Sequence, residues 1–277
     1  MNRFSHHALS LAAFLLLLII WAWAASAIQN AVILPSVEQV ATVLAHPNDD
    51  LLSMGSLLTN IGVSLVRVLL GYSVAVLIAV PLGIVMGYSM TMHTMLGDFL
   101  NLFRPIPPLA WVPLVMAWFG IASLADLFGI DRGPWFITLN NFKYSMIFII
   151  FIGAFFPVLT SSIHGVRNVN RVFIDTARVL GASRFDIFRK ILLPAALPSM
   201  VNGMRIGLGI AWMCLVSAEM LPGSISGVGY LITHAYTMAS TDIVIAGMFS
   251  IGLTGAIMDW LFRRVERRRF SWQRLAR

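Results

Sequence analysis

The amino-acid sequence predicts an all-α membrane protein of about six transmembrane helices, and three observations carry that expectation. Hydrophobic side chains make up 58% of the 277 residues and charged ones only 11%, too few solvent-facing groups to cover a water-soluble globule of that size. Six apolar stretches lie along the chain, at 8–28, 57–86, 105–124, 144–163, 198–219 and 242–262. The charges between them are sorted by sign: thirteen of the nineteen basic residues fall in two short segments, Arg167, Arg171, Arg178, Arg184, Arg189 and Lys190 in one, and Arg263, Arg264, Arg267, Arg268, Arg269, Arg274 and Arg277 in the other.

The first stretch follows Arg3 and ends in Ala25-Ser26-Ala27, a small-residue pattern like a signal-peptidase site. Its 21 residues without a charge, from Ala8 to Ile28, exceed the core of a signal peptide and suffice to span a bilayer, so a retained helix is the expectation. Hydrocarbon offers no partner for backbone N–H and C=O groups, so stretches of this length satisfy those groups internally as helices. The alternation expected of a membrane β-barrel is not visible.

The second and fifth stretches carry small residues at four-residue spacing, Gly83 to Gly87 and Gly203 to Gly207. Such spacing lets neighbouring helices approach closely, and ordinary bundle packing is a commoner use of it than dimerisation. The third stretch is the least regular, because Pro105, Pro107, Pro108 and Pro113 crowd its first half and proline removes a donor and bends a helix. A broken or kinked span is expected there.

Charge placement orients the spans. The connection 29–56 holds Glu38, Asp49 and Asp50 without Lys or Arg, and 219–241 holds only Glu219; both belong outside the cytoplasm. The two Arg-rich segments belong inside, with both chain ends cytoplasmic. The net charge of +7 therefore reads as topology rather than as a nucleic-acid surface, which would sit on a polar fold. One integral membrane domain, 1–277, is expected, with a cytoplasmic loop at 164–199 and a basic tail at 263–277. The single cysteine, Cys214, cannot form an internal disulfide and reads as a small buried hydrophobe.

The loop 164–199 is long, basic and patterned for helix. Phe173, Ala177 and Leu180 recur at helical spacing, with Arg171, Asp175 and Arg178 elsewhere around the axis. Gly181 interrupts the pattern. Ser183 followed by Asp186 has the form of a capping box, predicting a second short helix that presents Phe185, Phe188 and Leu192 on one side and ends at Pro194. Two amphipathic helices bent at a glycine expose an apolar knob, and such a knob needs a partner surface.

The run Asp175-Thr176-Ala177, three residues, Gly181, nine residues, Ile191-Leu192-Leu193-Pro194 resembles the EAA loop of binding-protein-dependent ABC transporter permeases, whose pattern is E-A-A-x3-G-x9-I-x-L-P. Every spacing fits; Asp175 stands for Glu and Thr176 for the first Ala. The likeness extends from Leu34-Pro35-Ser36 through Arg104 to Leu114, Trp118-Phe119-Gly120 and Phe155-Phe156-Pro157 to Gly227-Val228-Gly229, and is strongest to the taurine, alkanesulfonate, nitrate and bicarbonate permeases. Relative to that group, residues 121–143 resemble a segment carrying an insertion of roughly a dozen residues, expected on the outer side.

The resemblance implies a type I ABC importer permease fold in a bacterial inner membrane, pairing with a second copy of itself. It implies that Asp175, Thr176, Ala177, Gly181, Ala182, Ser183, Phe185, Phe188, Ile191, Leu193 and Pro194 dock on two cytoplasmic ATPase subunits, and that an extracytoplasmic binding protein delivers a small anionic solute. Membrane lipid is the remaining partner, and no nucleic acid is implied. No cofactor is expected on this chain; ATP and Mg belong to the partner ATPase.

The residues agree with an imported energy source. The two lysines, Lys143 and Lys190, follow Phe142 and Arg189, so no phosphate-cradling G-x-x-x-x-G-K-[ST] loop exists. His6, His7, His46, His93, His164 and His234 are scattered without carboxylates or cysteines at metal-ligand spacing, which predicts no metal site. No G-x-S-x-G elbow occurs, so an intramembrane hydrolase is a poor alternative. Ionisable groups inside the spans are the other candidates, because each is costly there. Arg67, about ten residues into the second stretch, either attracts an anion or pairs structurally; Arg205 and Asp259 sit near cytoplasmic ends, where pairing is favoured; Glu219 near the outer mouth is placed to contact a binding protein. Trp212, Met213 and Met220 are candidates for the path, against ordinary packing. The competing class is a self-sufficient secondary transporter, but its inverted repeats and midplane carboxylates are not visible.

Overall fold

The structure, a computed structural model, describes residues 3–269. In chain order its helices are α1 (Arg3–Ile28), α2 (Val37–Ala45), α3 (Leu57–Tyr88), α4 (Met90–Phe103), α5 (Val112–Phe119), α6 (Leu124–Leu127), α7 (Pro134–Asn140), α8 (Tyr144–Arg167), α9 (Arg171–Val179), α10 (Arg184–Ile187), α11 (Leu193–Glu219), α12 (Val228–Thr237) and α13 (Thr241–Arg269). A 3-10 turn at Pro108–Trp111 precedes α5 and a π turn at Phe188–Leu192 joins α10 to α11. No β-strand occurs among the described residues, only isolated bridges. Arg274 and Arg277 of the basic tail lie outside the described residues.

Five helices are long and apolar enough to cross a membrane, and a bent pair makes a sixth. Helices α1, α3, α8, α11 and α13 coincide with five of the six apolar stretches. The third stretch differs. Within 87–104, the connection between the second and third apolar stretches, Met90–Phe103 form α4, whose N-terminus is capped by the Ser89 hydroxyl accepting from the Met92 N–H at 3.4 Å. The prolines at 105, 107 and 108 then stop the helix. The chain resumes through the 3-10 turn into α5, bent 85° from α4. Pro113 sits in the first turn of α5, where its missing N–H has no intrahelical acceptor to lose.

The helices belong to two compact units: residues up to 63 with 224–254, and residues 64–223 with 255 onward. In the first unit, Leu57, Leu231, Ala235 and Ile243 form a core flanked by Val43, Leu51 and Ile61. Asn60, only 2% exposed, donates to the carbonyls of Met54 and Ser56 at 3.0 Å each and accepts from the Gly227 N–H at 2.8 Å. Gly227 has φ +108°, and its carbonyl accepts from the Leu231 N–H in the first turn of α12. One buried amide thus ties α3 to the start of α12. Trp21 stacks on Phe249 and donates its indole N–H to the Pro35 carbonyl at 3.1 Å.

The second unit is built on α8, which runs between α3 and α11. A Cβ on Gly83 would lie 2.4 Å from the Ser162 Cβ, and one on Gly203 would lie 2.2 Å from the Ser161 Cβ. Gly87 likewise faces Val166, and Gly207 faces Val158. Both small-residue pairs therefore serve helix packing within the chain, each admitting α8 to a distance that side chains would forbid. Cys214 is buried against Gly153.

Candidate docking loop and buried polar centre

The connection between α8 and α11 is helical and stands open to its surroundings. The Asn170 side chain caps α9 by accepting from the Val172 N–H at 3.0 Å. Helix α9 leaves Val172, Phe173, Val179 and Leu180 exposed, Leu180 to 81%. Asp175 and Thr176 are exposed beside them, with Ala177 half-buried. Gly181 turns the chain at φ +81°, with nothing within 4 Å of the position a Cβ would take. Backbone conformation is therefore what requires glycine there. Ala182 is half-buried. The Ser183 hydroxyl accepts from the Asp186 N–H at 3.2 Å and donates to the Asp186 carboxylate at 2.6 Å, capping α10.

Two sequence expectations change here. Phe185 and Leu192 do not share a face: Phe185 is 67% exposed and Leu192 is buried. The five-residue turn at 188–192, closed by the Leu193 N–H on the Phe188 carbonyl, advances the helix by more than a normal turn and breaks the stripe that α-helical spacing implied. The side facing inward is Ile187 and Leu192, with Phe188 packed edge-on to Tyr88 at 5.9 Å. Nor does Pro194 end the second helix. It lies in the first turn of α11, where the preceding π turn accommodates a residue with no N–H to give, and α10 continues into α11. Ile191, Leu193 and Pro194 are half-buried in this continuation.

A second constellation lies inside the same unit. Arg67 and Glu219, 1% and 0% exposed, form an ion pair at 2.7 Å. Arg67 also donates Nε–H to the Asn141 carbonyl at 2.8 Å. The Ser64 hydroxyl lies 2.8 and 2.9 Å from the two Glu219 oxygens. The cluster joins α3, the end of α11 and the connection into α8. Of the two roles open to Arg67, structural pairing is the geometry found. Glu219 offers no atom to an outside partner, because its side chain is fully buried against Arg67 and Ser64. Ser64 and Asn141 were missed, although Asn60, Ser64 and Arg67 recur as a polar stripe at helical spacing on α3, a signal the sequence contained. Trp212 is buried beside Gly255, whereas Met213 is 70% exposed and Met220 45%. Arg205 lies 3.8 Å from Asp259 and 3.6 Å from Glu266, pairing as its position suggested.

Residues 121–143 are folded and fastened at their base. The Leu124 N–H donates to the Phe142 carbonyl and the Tyr144 N–H to the Ala122 carbonyl, at 3.0 and 3.1 Å. The Asp126 carboxylate accepts from the Ser123 N–H at 2.6 Å, and Lys143 donates to Asn140 at 2.6 Å. Burial lowers the Lys143 ammonium from its usual range; nearby Asp126 opposes that shift and Arg67 adds to it. Leu127, Phe128, Trp135 and Ile137 point outward, each more than 60% exposed.

An all-helical membrane chain with an exposed helical loop continuous with a span is the architecture of an ABC transporter permease. Residues 79–271 match the family of binding-protein-dependent transport system inner membrane components, and this chain belongs to that family. It is 46% identical to a putative ABC transporter permease of Methanocaldococcus jannaschii, over 94% of this chain and 90% of that one. It is 34% identical to the taurine transport system permease TauC of Escherichia coli over 95% and 89%, and 36% identical to the nitrate import permease NrtB of Leptolyngbya laminosa over 73% and 65%. The inward-facing MetNI methionine ABC transporter shares the fold, with a TM-score of 0.60 at 17% identity over 76% of this chain and 94% of that one. The protein is thus a permease component of a binding-protein-dependent ABC transporter.

Proposed function

We propose that this chain conducts a small anionic solute of the sulfonate, taurine, nitrate or bicarbonate class inward through a homodimer, driven by ATP hydrolysis in two separate cytoplasmic subunits. The observation that carries the reading is the loop from α9 to α11, whose apolar knob is exposed and whose second helix runs unbroken into a membrane span. Docking residues 175–177, 181–183 and 185 lie on or beside that knob, and 188, 191, 193 and 194 lie at its root. The loop and the basic tail then face the cytoplasm, as the positive-inside rule requires of arginine-rich segments. ATP and Mg are held by the partner, since this sequence has no phosphate-binding glycine loop, and a binding protein delivers cargo on the opposite side.

The anionic cargo rests on relatives named for taurine and nitrate. In this reading Arg67 and Glu219 brace the route rather than select the anion, because each neutralises the other. Trp212 and Met213 remain its candidate lining.

The test is reconstitution with a cognate ATPase subunit and binding protein, followed by uptake of labelled taurine, nitrate and bicarbonate with and without ATP. ATP-dependent uptake that is lost on deleting 175–193 is expected. Uptake driven by an ion gradient without the ATPase would instead make the chain a secondary transporter.

A further inference from the structure

Beneath the docking loop lies an open cleft of about 910 Å³ whose lining includes Arg167, Arg171, Arg178 and Arg184 and no acidic residue. Among the described residues only Arg178 of these has a carboxylate in range, Asp175 at 3.3 Å, and both partners are exposed, so that pair holds little of the charge. Arg167 touches the Met90 sulfur at 3.4 Å. Four guanidinium groups around one cavity repel one another unless an anion joins them.

The rest of the lining is apolar: Tyr88, Met90, Val166, Val169, Ile174, Ile187 and Leu192 are among the walls. Tyr88 and Met90 are 55% and 70% exposed. The cleft lies where two membrane spans end together, α3 at Tyr88 and α8 at Arg167, held close because Gly87 leaves room for Val166. The cleft therefore sits at the ends of two candidate spans rather than along their middles. A ligand suited to it carries a phosphate for the arginines and a greasy body for the walls.

We propose that this cleft binds the phosphate headgroup of an anionic phospholipid, with its glycerol and upper acyl carbons against Tyr88 and Met90. Guanidinium groups bind phosphate oxygens bidentately, and basic pockets between helices at the membrane surface hold anionic headgroups. The bound lipid offsets the repulsion among the arginines and joins α9 to the ends of α3 and α8. Lipid binding there is measured without the ATPase.

The full chain, purified and stripped of lipid in mild detergent, is titrated with phosphatidylglycerol or phosphatidylcholine, and retained lipid is counted by native mass spectrometry. Phosphatidylglycerol is expected to be held preferentially, with affinity falling about tenfold or more in R171Q/R184Q, roughly 1.4 kcal/mol per factor of ten. R171K/R184K should keep most of it, which separates a lost charge from a misfolded loop. R267Q/R268Q removes the same charge from α13 and should change nothing. Equal retention of the two lipids, or equal losses in both glutamine pairs, would overturn the site. Displacement by inorganic phosphate alone would reassign it to a soluble anion. Unchanged lipid retention with lost ATPase co-purification in R171Q/R184Q would give the arginines to the protein partner instead.

Discussion

Arg67 and Glu219, 152 residues apart in sequence, meet at 2.7 Å with almost no exposure to the surroundings. Each charge is tolerated because the other is present, and removing one leaves its partner buried and uncompensated. Arg67→Met and Glu219→Leu should each destabilise the protein by about 3–5 kcal/mol, while the double variant recovers most of that loss. Thermal unfolding of the purified chain, followed by near-UV circular dichroism, measures all three. Additive losses in the double variant would mean the two side chains are not paired.

Helix α8 presents adjacent serines to two neighbours, Ser162 toward Gly83 and Ser161 toward Gly203. A side chain at either glycine must displace a helix. Gly203→Leu is expected to cost about 1–3 kcal/mol or more through overpacking, and Gly203→Leu with Ser161→Gly to regain part of it. If the glycines served dimerisation instead, Gly203→Leu would yield folded monomers on size-exclusion chromatography.

Gly181 stands at φ +81° in open space, so substitutions there act through the backbone alone. Gly181→Val should strain the bend by about 1–2 kcal/mol or more and weaken ATPase co-purification, whereas Gly181→Asn, which tolerates the left-handed region, should retain most of it. Equal loss with both residues would point to a direct contact at Gly181 rather than to conformation.

The Asn60 side chain supplies the acceptor for the buried Gly227 N–H. Asn60→Leu leaves that donor unsatisfied, an expected loss of about 1–3 kcal/mol, with faster amide exchange at Gly227 and Leu231. Unchanged exchange there would show that another group holds α12.

Five spans were legible from apolar length because hydrocarbon imposes one rule on every crossing segment. Helix α4 was not, since its 14 residues are too few to span alone and mix Met and Phe with His93 and Asp98. In the docking loop, the Gly181 bend and Ser183 cap follow from local chemistry and were readable. The π turn has no such signature: Phe188 to Leu192 reads as ordinary helix, and only the packed structure shows Phe185 and Leu192 on different sides. The pairing of Arg67 with Glu219 was hidden for another reason, because sequence separation says nothing about which of several intramembrane charges will meet.

The π turn also sets a phase. Deleting Ala195, in the regular helix that follows it, should rotate everything N-terminal to that point by about 100° relative to the rest of α11. The expected product is folded, membrane-inserted and unable to couple ATP hydrolysis to uptake; preserved coupling would show that the orientation of the knob is immaterial.

From Arg184 to Glu219 the backbone is one hydrogen-bonded helical rod of 36 residues, roughly 50 Å long at the rise of an α-helix. Its far end is anchored by the carboxylate that Arg67 holds. A displacement applied at the knob therefore reaches the polar centre along one continuous helix whose soft points are the π turn at 188–192 and Pro198: α11 behaves as a connecting rod, and Glu219 is its pin.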